Sequence, residues 1–158
     1  MKIVSACLAG IKCNWQGKAA PCKAVIDLVA AGAAVPVCPE QLGGLTTPRE
    51  PAEQRNARVV TISGKDVADS FRRGAEEGLK VAQLLGCKEA ILKARSPSCG
   101  VGKIYDGTFT KNIISGNGVF VQLLQQNGVK VISEEDVLDS VIEFPKKWYQ
   151  NSVDCSWL

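Results

Sequence analysis

Short, nearly unbroken apolar runs alternate along this chain with stretches in which apolar residues return every three or four positions. The runs read as buried strands, and the periodic stretches as helices with one face on a core. Residues 2–6 predict a first strand, followed by a loop rich in Gly, Asn and Lys from Leu8 to Lys18. Pro21 opens a helix to about Ala31, with Val25, Leu28 and Val29 on one side and Gly32 as its stop. Residues 33–37 predict a second strand, and residues 58–62 a third that turns at Ser63-Gly64. The longest periodic stretch, from about Asp66 to Leu85, carries Val67, Phe71, Ala75, Leu79, Ala82 and Leu85 at helical spacing and ends at Gly86. Residues 89–93 predict a fourth strand, residues 118–126 a helix, Asn127-Gly128 a turn and residues 129–132 another strand. Ser133 ahead of Glu134, Glu135 and Asp136 marks a further helix start, with acids suited to the positive end of its dipole.

Strands that alternate with helices of this length predict an α/β fold: one three-layer, Rossmann-like domain with a mostly parallel β-sheet flanked by helices. The domain is expected over residues 1–142, with 143–158 as a C-terminal tail containing Trp148, Tyr149 and Trp157. The sequence has no phosphate loop of the Walker type. Gly74 and Gly78, inside the long helix, are read as points of close packing and not as a dinucleotide fingerprint.

Composition narrows the chemistry. There are seven cysteines and no histidine. Without histidine there is no His-bearing zinc site, no Ser-His or Cys-His nucleophile pair and no haem histidine. An odd cysteine count cannot pair fully within one chain, and the start of the sequence reads as a strand and not as a signal peptide, so a reduced, cytoplasmic protein is expected. No Cys-x2-Cys pair occurs, which removes zinc-ribbon and ferredoxin-type signatures. No apolar run is long enough for a membrane span. A formal charge of +3 suits a small anionic ligand better than duplex DNA; RNA is disfavoured without being ruled out. The expected assembly is a monomer or a small homo-oligomer.

Ligand sites in open parallel sheets lie beyond the carboxyl ends of the strands. Cys7 follows the first strand, Cys38 the second, and Cys99 sits in the loop after the fourth, each beside Gly or Pro residues. A single such cysteine is as readily a small core residue as a ligand; three at corresponding positions favour a metal or iron-sulfur site. Cys13 is a fourth ligand or a neighbour; Cys22 reads as a packing residue, and Cys87, after a helix-ending glycine, and Cys155, near the tail, have no strong claim to the site. Thiolates suit zinc and iron-sulfur clusters alike, so a zinc-thiolate enzyme and a non-catalytic Cys-ligated module for thiolated nucleosides or RNA both stay open. Lys93, Arg95 and Lys103 are placed to offset negative cluster charge. Glu40, two residues after Cys38, suits acid or base duty; Ser96, three before Cys99, either fixes a turn or holds a ring atom. Arg49, Glu53 and Arg55 are expected to include an ion pair fixing the loop after Cys38, and Trp15 is a candidate stacking wall.

Three segments together resemble a known family: Ser5-Ala6-Cys7-Leu8-Ala9-Gly10; Cys38-Pro39-Glu40-Gln41-Leu42-Gly43-Gly44-Leu45 with Pro48-Arg49; and Leu92-Lys93 through Ser96-Pro97-Ser98-Cys99-Gly100. They are similar to the small bacterial domains whose characterised members are 2-thiouracil desulfidases, over about residues 1–142. The resemblance implies a [4Fe-4S] cluster, oxygen-labile, held by Cys7, Cys38 and Cys99 with its fourth iron open. It further implies non-redox removal of sulfur from a thiolated pyrimidine, with release of hydrogen sulfide. Glu40 matches the family's catalytic carboxylate and Ser96 its substrate-contacting serine. In such a reaction Glu40 handles the attacking water or a ring proton, Ser96 orients the ring, and amides of the Gly43-Gly44 loop are candidates to assist as a backbone nest.

Overall fold

A computed structural model describes residues 1–137. The elements in chain order are β1 (Lys2–Ser5), α1 (Lys23–Ala30), β2 (Ala34–Val37), α2 (Pro39–Leu42), β3 (Ala52–Arg55), β4 (Arg58–Thr61), α3 (Ala68–Leu84), β5 (Glu89–Leu92), β6 (Lys103–Tyr105), β7 (Ile113–Ser115), α4 (Val119–Gln126), β8 (Lys130–Ser133) and α5 (Glu134–Val137). The expected boundary at residue 142, the tail with its aromatic residues, and Cys155 lie outside the described residues.

The central sheet has the order β2-β1-β5-β8, and all its pairings are parallel. Its strands are apolar on both faces because each face is covered. Ile3, Ala90 and Leu92 pack with Phe120, Val121 and Leu124 in one core under α3 and α4. Val4 and Ile91, one residue out of phase, join Val25, Leu28 and Val137 in a second core under α1 and α5. Alternate residues of a strand point to opposite faces, so the near-continuous apolar runs are what a three-layer fold requires. It is a Rossmann-like three-layer α/β fold.

Two parts of the chain depart from the expectation. Residues 58–62 were expected as a third strand alternating with helices; β4 instead pairs antiparallel with β3 in a separate two-stranded sheet. Asn56 and Ala57 connect them with φ of 48° and 61°, the left-handed conformation that two-residue hairpin loops demand. The partner strand, Ala-Glu-Gln-Arg, carries almost no apolar signal. Likewise, the stretch between β5 and α4, for which the sequence predicts no element, contains a second small hairpin in which β6 pairs antiparallel with β7.

The two helix glycines are packing points, as expected. A Cβ on Gly74 would lie 1.8 Å from the Pro39 carbonyl oxygen, and one on Gly43 would lie 2.0 Å from that of Ser70. Backbone thus meets backbone where α2 crosses α3, and the segment carrying Cys38 and Glu40 is pressed onto the longest helix. A Cβ on Gly78 would meet the Phe120 ring at 2.7 Å.

Candidate active site

Beyond β1 the chain leaves the sheet in opposite directions, to β2 on one side and, later, to β5 on the other. The crevice above the ends of β1 and β5 is the topological switch point of the sheet. The hydroxyl of buried Ser5, the last residue of β1, accepts the Lys93 amide at 2.9 Å and ties the two strand ends together.

Each segment leaving a strand end is shaped locally. After β1 the chain coils through a tight turn in which the Leu8 and Ala9 amides bond to the Ser5 and Ala6 carbonyls, with Cys7 inside it. The Asn14 side chain accepts the Gln16 and Lys18 amides at 3.0 and 2.7 Å, shaping the loop that carries Trp15. After β2, Cys38 is the N-cap residue of the one-turn α2, and Glu40 stands in its first turn. After β5, the Ser96 hydroxyl accepts the amides of Ser98 and Cys99, both at 3.1 Å, and the Ser96 carbonyl accepts Gly100 at 2.8 Å. Ser96 therefore builds the turn that presents Cys99. A hydroxyl has two acceptor lone pairs and one proton; both lone pairs are taken, so toward the cavity Ser96 can only donate.

These segments surround a cavity of about 520 Å³. Cys7, Cys38 and Cys99 line it, together with Glu40 and Ser96. Cys13 joins them: it is buried, and its thiol bonds to both the Cys7 and the Cys38 sulfurs. Sharing that proton holds Cys13 far above the ordinary thiol range and lowers both neighbours. Cys38 falls to about 7; the Cys13 thiol contributes most, followed among the favourable contacts by the Gln41 amide and the Arg49 cation. Cys99 is raised by complete burial, partly offset by a hydrogen bond from the Ser5 hydroxyl.

Among the described residues, no three Cys, Asp or Glu side chains converge on a position for a single metal ion. All four thiols line the one cavity. A tetrahedral zinc needs all donors within bonding distance of one centre, whereas a cluster takes each thiolate on a different iron and spans the gap between strand ends. The donors offered from the three strand ends are all sulfur and open onto one cavity, so the residues fit a cluster.

Arg49 is the partner that secures Glu40. Its Nε and Nη2 meet Glu40 Oε2 at 2.7 and 2.6 Å, and Nη2 also donates to the Cys13 carbonyl at 3.1 Å. Among the described residues, the pair expected within Arg49, Glu53 and Arg55 is not formed: Arg49 pairs with Glu40 instead. Glu53 accepts backbone amides. Of the three cations expected near the cysteines, Lys93 and Arg95 line the cavity and pair with Glu134 and Glu135, while Lys103 lies on β6 outside the lining. Glu134 is buried and also accepts the Ala94 amide at 2.6 Å, so it is more than a helix-start acid. The Gly43 and Gly44 amides are spent on the Pro39 and Gln41 carbonyls, which leaves no nest there. Cys22 packs against the α1 core and Cys87 lies in the α3 core, both away from the cavity. Trp15 lines the cavity, half exposed, with Tyr105 and Phe109 as aromatic residues that the sequence reading missed.

A family model described as 2-thiouracil desulfurase matches residues 3–136. The chain belongs to the 2-thiouracil desulfurase family. Within curated proteins, it is 44% identical to an uncharacterized protein, YbbK, of Bacillus subtilis strain 168, a match covering 88% of this chain and 99% of that one. Its structure is similar to that of the [4Fe-4S]-dependent thiouracil desulfidase TudS, with a TM-score of 0.82 and 42% identity over 87% of this chain and 92% of the other. Membership of a desulfurase family and this likeness support a desulfuration-type reaction. No helix among the described residues is long and apolar enough to cross a membrane.

Proposed function

We propose that this protein converts a thiolated pyrimidine such as 2-thiouracil and water to the oxo compound and hydrogen sulfide, using a [4Fe-4S] cluster held by Cys7, Cys38 and Cys99. The observation that carries this reading is the ring of thiols from three strand ends around one cavity that also contains an oriented carboxylate. When bound, a cluster with three protein thiolates supplies an open iron as a Lewis acid for the thiocarbonyl sulfur.

The chain's own residues supply the rest. Glu40, its Oε2 held by Arg49, accepts a proton from the water that attacks the ring carbon bearing sulfur. That proton, and the hydroxyl proton lost as the C–S bond breaks and the carbonyl forms, both end on the departing sulfur, so hydrogen sulfide leaves and no electron donor or acceptor is consumed. Ser96, restricted to donating, binds the ring's carbonyl oxygen and fixes the ring. Lys93, anchored by Glu134, places positive charge beside Cys7. Cys13 stands outside the ligand set and donates its proton toward the Cys7 and Cys38 sulfurs.

The test is anaerobic reconstitution followed by parallel assays of sulfide and oxo product from 2-thiouracil, with iron and inorganic sulfide quantified in the same sample. Equimolar sulfide and uracil from protein holding four irons and four sulfides per chain is the expected result. A single zinc without inorganic sulfide, or full cluster loading with no turnover, overturns the assignment.

A further inference from the structure

Glu53 is a carboxylate on β3, 9% exposed, that forms no ion pair among the described residues. Its Oε2 accepts the amides of Gly107 and Phe109, each at 3.0 Å. Burying an acid without a cation is expensive, and a short surface hairpin has no need of one. The amides it grips belong to the turn joining β6 to β7.

That turn is held in an uncommon shape. Phe109 and Lys111 both have left-handed backbones, φ 60° and 63°, without being glycine. Gly107, φ 87°, sits where a Cβ would be 2.7 Å from the Gln54 carbonyl oxygen. Asp106 adds a second peg, accepting from the Thr108 amide, the Thr108 hydroxyl and the Asn112 side chain at 3.0, 2.6 and 2.7 Å. Such conformations persist only where surrounding bonds impose them. Their result is that Phe109 and Lys111 reach the cavity lined by the thiols, with Tyr105 beside them.

The neighbouring residue shows what else β3 connects. Gln54 Nε2 donates to the Pro97 and Asn117 carbonyls, both at 2.9 Å, and so braces the turn that carries Ser96 and Cys99. Adjacent residues of one strand point to opposite sides. Glu53 and Gln54 therefore tie two walls of the cavity to a single strut.

We infer that the 106–111 turn is the aromatic wall against which the substrate ring packs, and that Glu53 is a positioning residue acting on substrate affinity through it. This rests on the thiopyrimidine reading. A flat, polarisable heterocycle gains from stacking on an aromatic face, and the gain is realised in the bound ground state as in the transition state. The wall accordingly governs KM and leaves kcat nearly untouched.

The test uses the full chain, anaerobically loaded, with 2-thiouracil as probe and amide hydrogen exchange as a second readout. Glu53→Ala is expected to raise KM about tenfold, the scale of one lost ring contact, with kcat within about twofold. Iron content stays unchanged, and the amides of residues 107 and 109 exchange faster. Glu53→Gln, which keeps an acceptor oxygen, restores most of both. Phe109→Ala raises KM similarly while those amides stay protected, and it carries the test if Glu53→Ala does not fold. An unchanged KM in Phe109→Ala, or a fall in kcat with KM constant, overturns the inference. Should the loaded wild type release no sulfide, the functional reading fails separately. Protection of residues 107–111 by added 2-thiouracil then upholds the wall, and its absence overturns it.

Discussion

Arg49 meets Glu40 with two nitrogens on one oxygen: Nε at 2.7 Å and Nη2 at 2.6 Å both contact Oε2. The guanidinium is itself fixed elsewhere, by Nη1 to the Thr46 carbonyl at 3.2 Å and by its own main-chain amide to the Trp15 carbonyl at 2.9 Å. A lysine cannot reproduce that fork. Arg49→Lys should retain iron content and lower kcat about ten- to a hundredfold through misplacement of the carboxylate. Arg49→Met, which strands a half-buried charge, should also destabilise the protein by about 3 kcal/mol. Steady-state kinetics and urea unfolding check the two parts.

Glu40→Gln keeps the shape and a hydrogen-bonding oxygen while removing the base. Turnover of 2-thiouracil should drop at least about a hundredfold, the usual contribution of a positioned proton acceptor. Iron and sulfide content should match wild type. Undiminished sulfide release would remove Glu40 from the mechanism.

The thiols predict an order of reactivity in cluster-free protein. Cys38, lowered to about 7 by the Cys13 thiol, the Gln41 amide and Arg49, becomes thiolate as pH rises through neutrality. Its alkylation by iodoacetamide should therefore be half-maximal near pH 7 and complete above it, since the thiolate is the nucleophile. Cys99, raised by burial, should stay unmodified over that range. In Cys13→Ala the Cys38 midpoint should move up toward the ordinary thiol value, because its largest stabilising contact is gone. Mass spectrometry of alkylated peptides across pH 5–9 reads all three.

Cys22→Ala, Cys87→Ala and Cys13→Ala should each load iron like wild type. Loss of iron in any of them would mean that the ligand set is misassigned. Cys87→Ala should cost stability modestly, since it removes a buried core side chain.

Gly74→Ala tests the support beneath the site. The added Cβ would stand 1.8 Å from the backbone oxygen of Pro39, which cannot swing aside as a side chain does. A loss of about 1–3 kcal/mol in urea unfolding is expected, the usual range for overpacking, together with reduced cluster retention as α2 is pushed from α3. Gly78→Ala, opposed by the Phe120 ring, should destabilise without altering retention.

The strand ends were readable because each is a compact apolar run broken abruptly by Gly, Pro or polar residues, a local signal that sets where Cys7, Cys38 and Cys99 fall. The functions of Ser5, Glu53 and Glu134 were not readable, since a serine ending a strand or a glutamate in a polar stretch reveals nothing of the partner it meets. Those partners lie 88, 54 and 40 residues away for Ser5 with Lys93, Glu53 with Gly107 and Glu134 with Ala94. The same limit hid β3, whose polar residues pair by backbone alone. The place of Cys13 was not legible either, because its burial beside two other thiols depends on β2 docking beside β1.

The strand made first, β1, ends up in the middle of the sheet, and its neighbour β5 is synthesised more than eighty residues later. Until that late strand docks, the thiols around the cavity are scattered along an open chain, and closing so long a loop comes late on the way to the native state. Any prosthetic group that needs sulfur from all three strand ends is captured only by a finished sheet. On the proposed ligand set, truncated or half-folded copies would offer too few sulfur donors to hold a cluster.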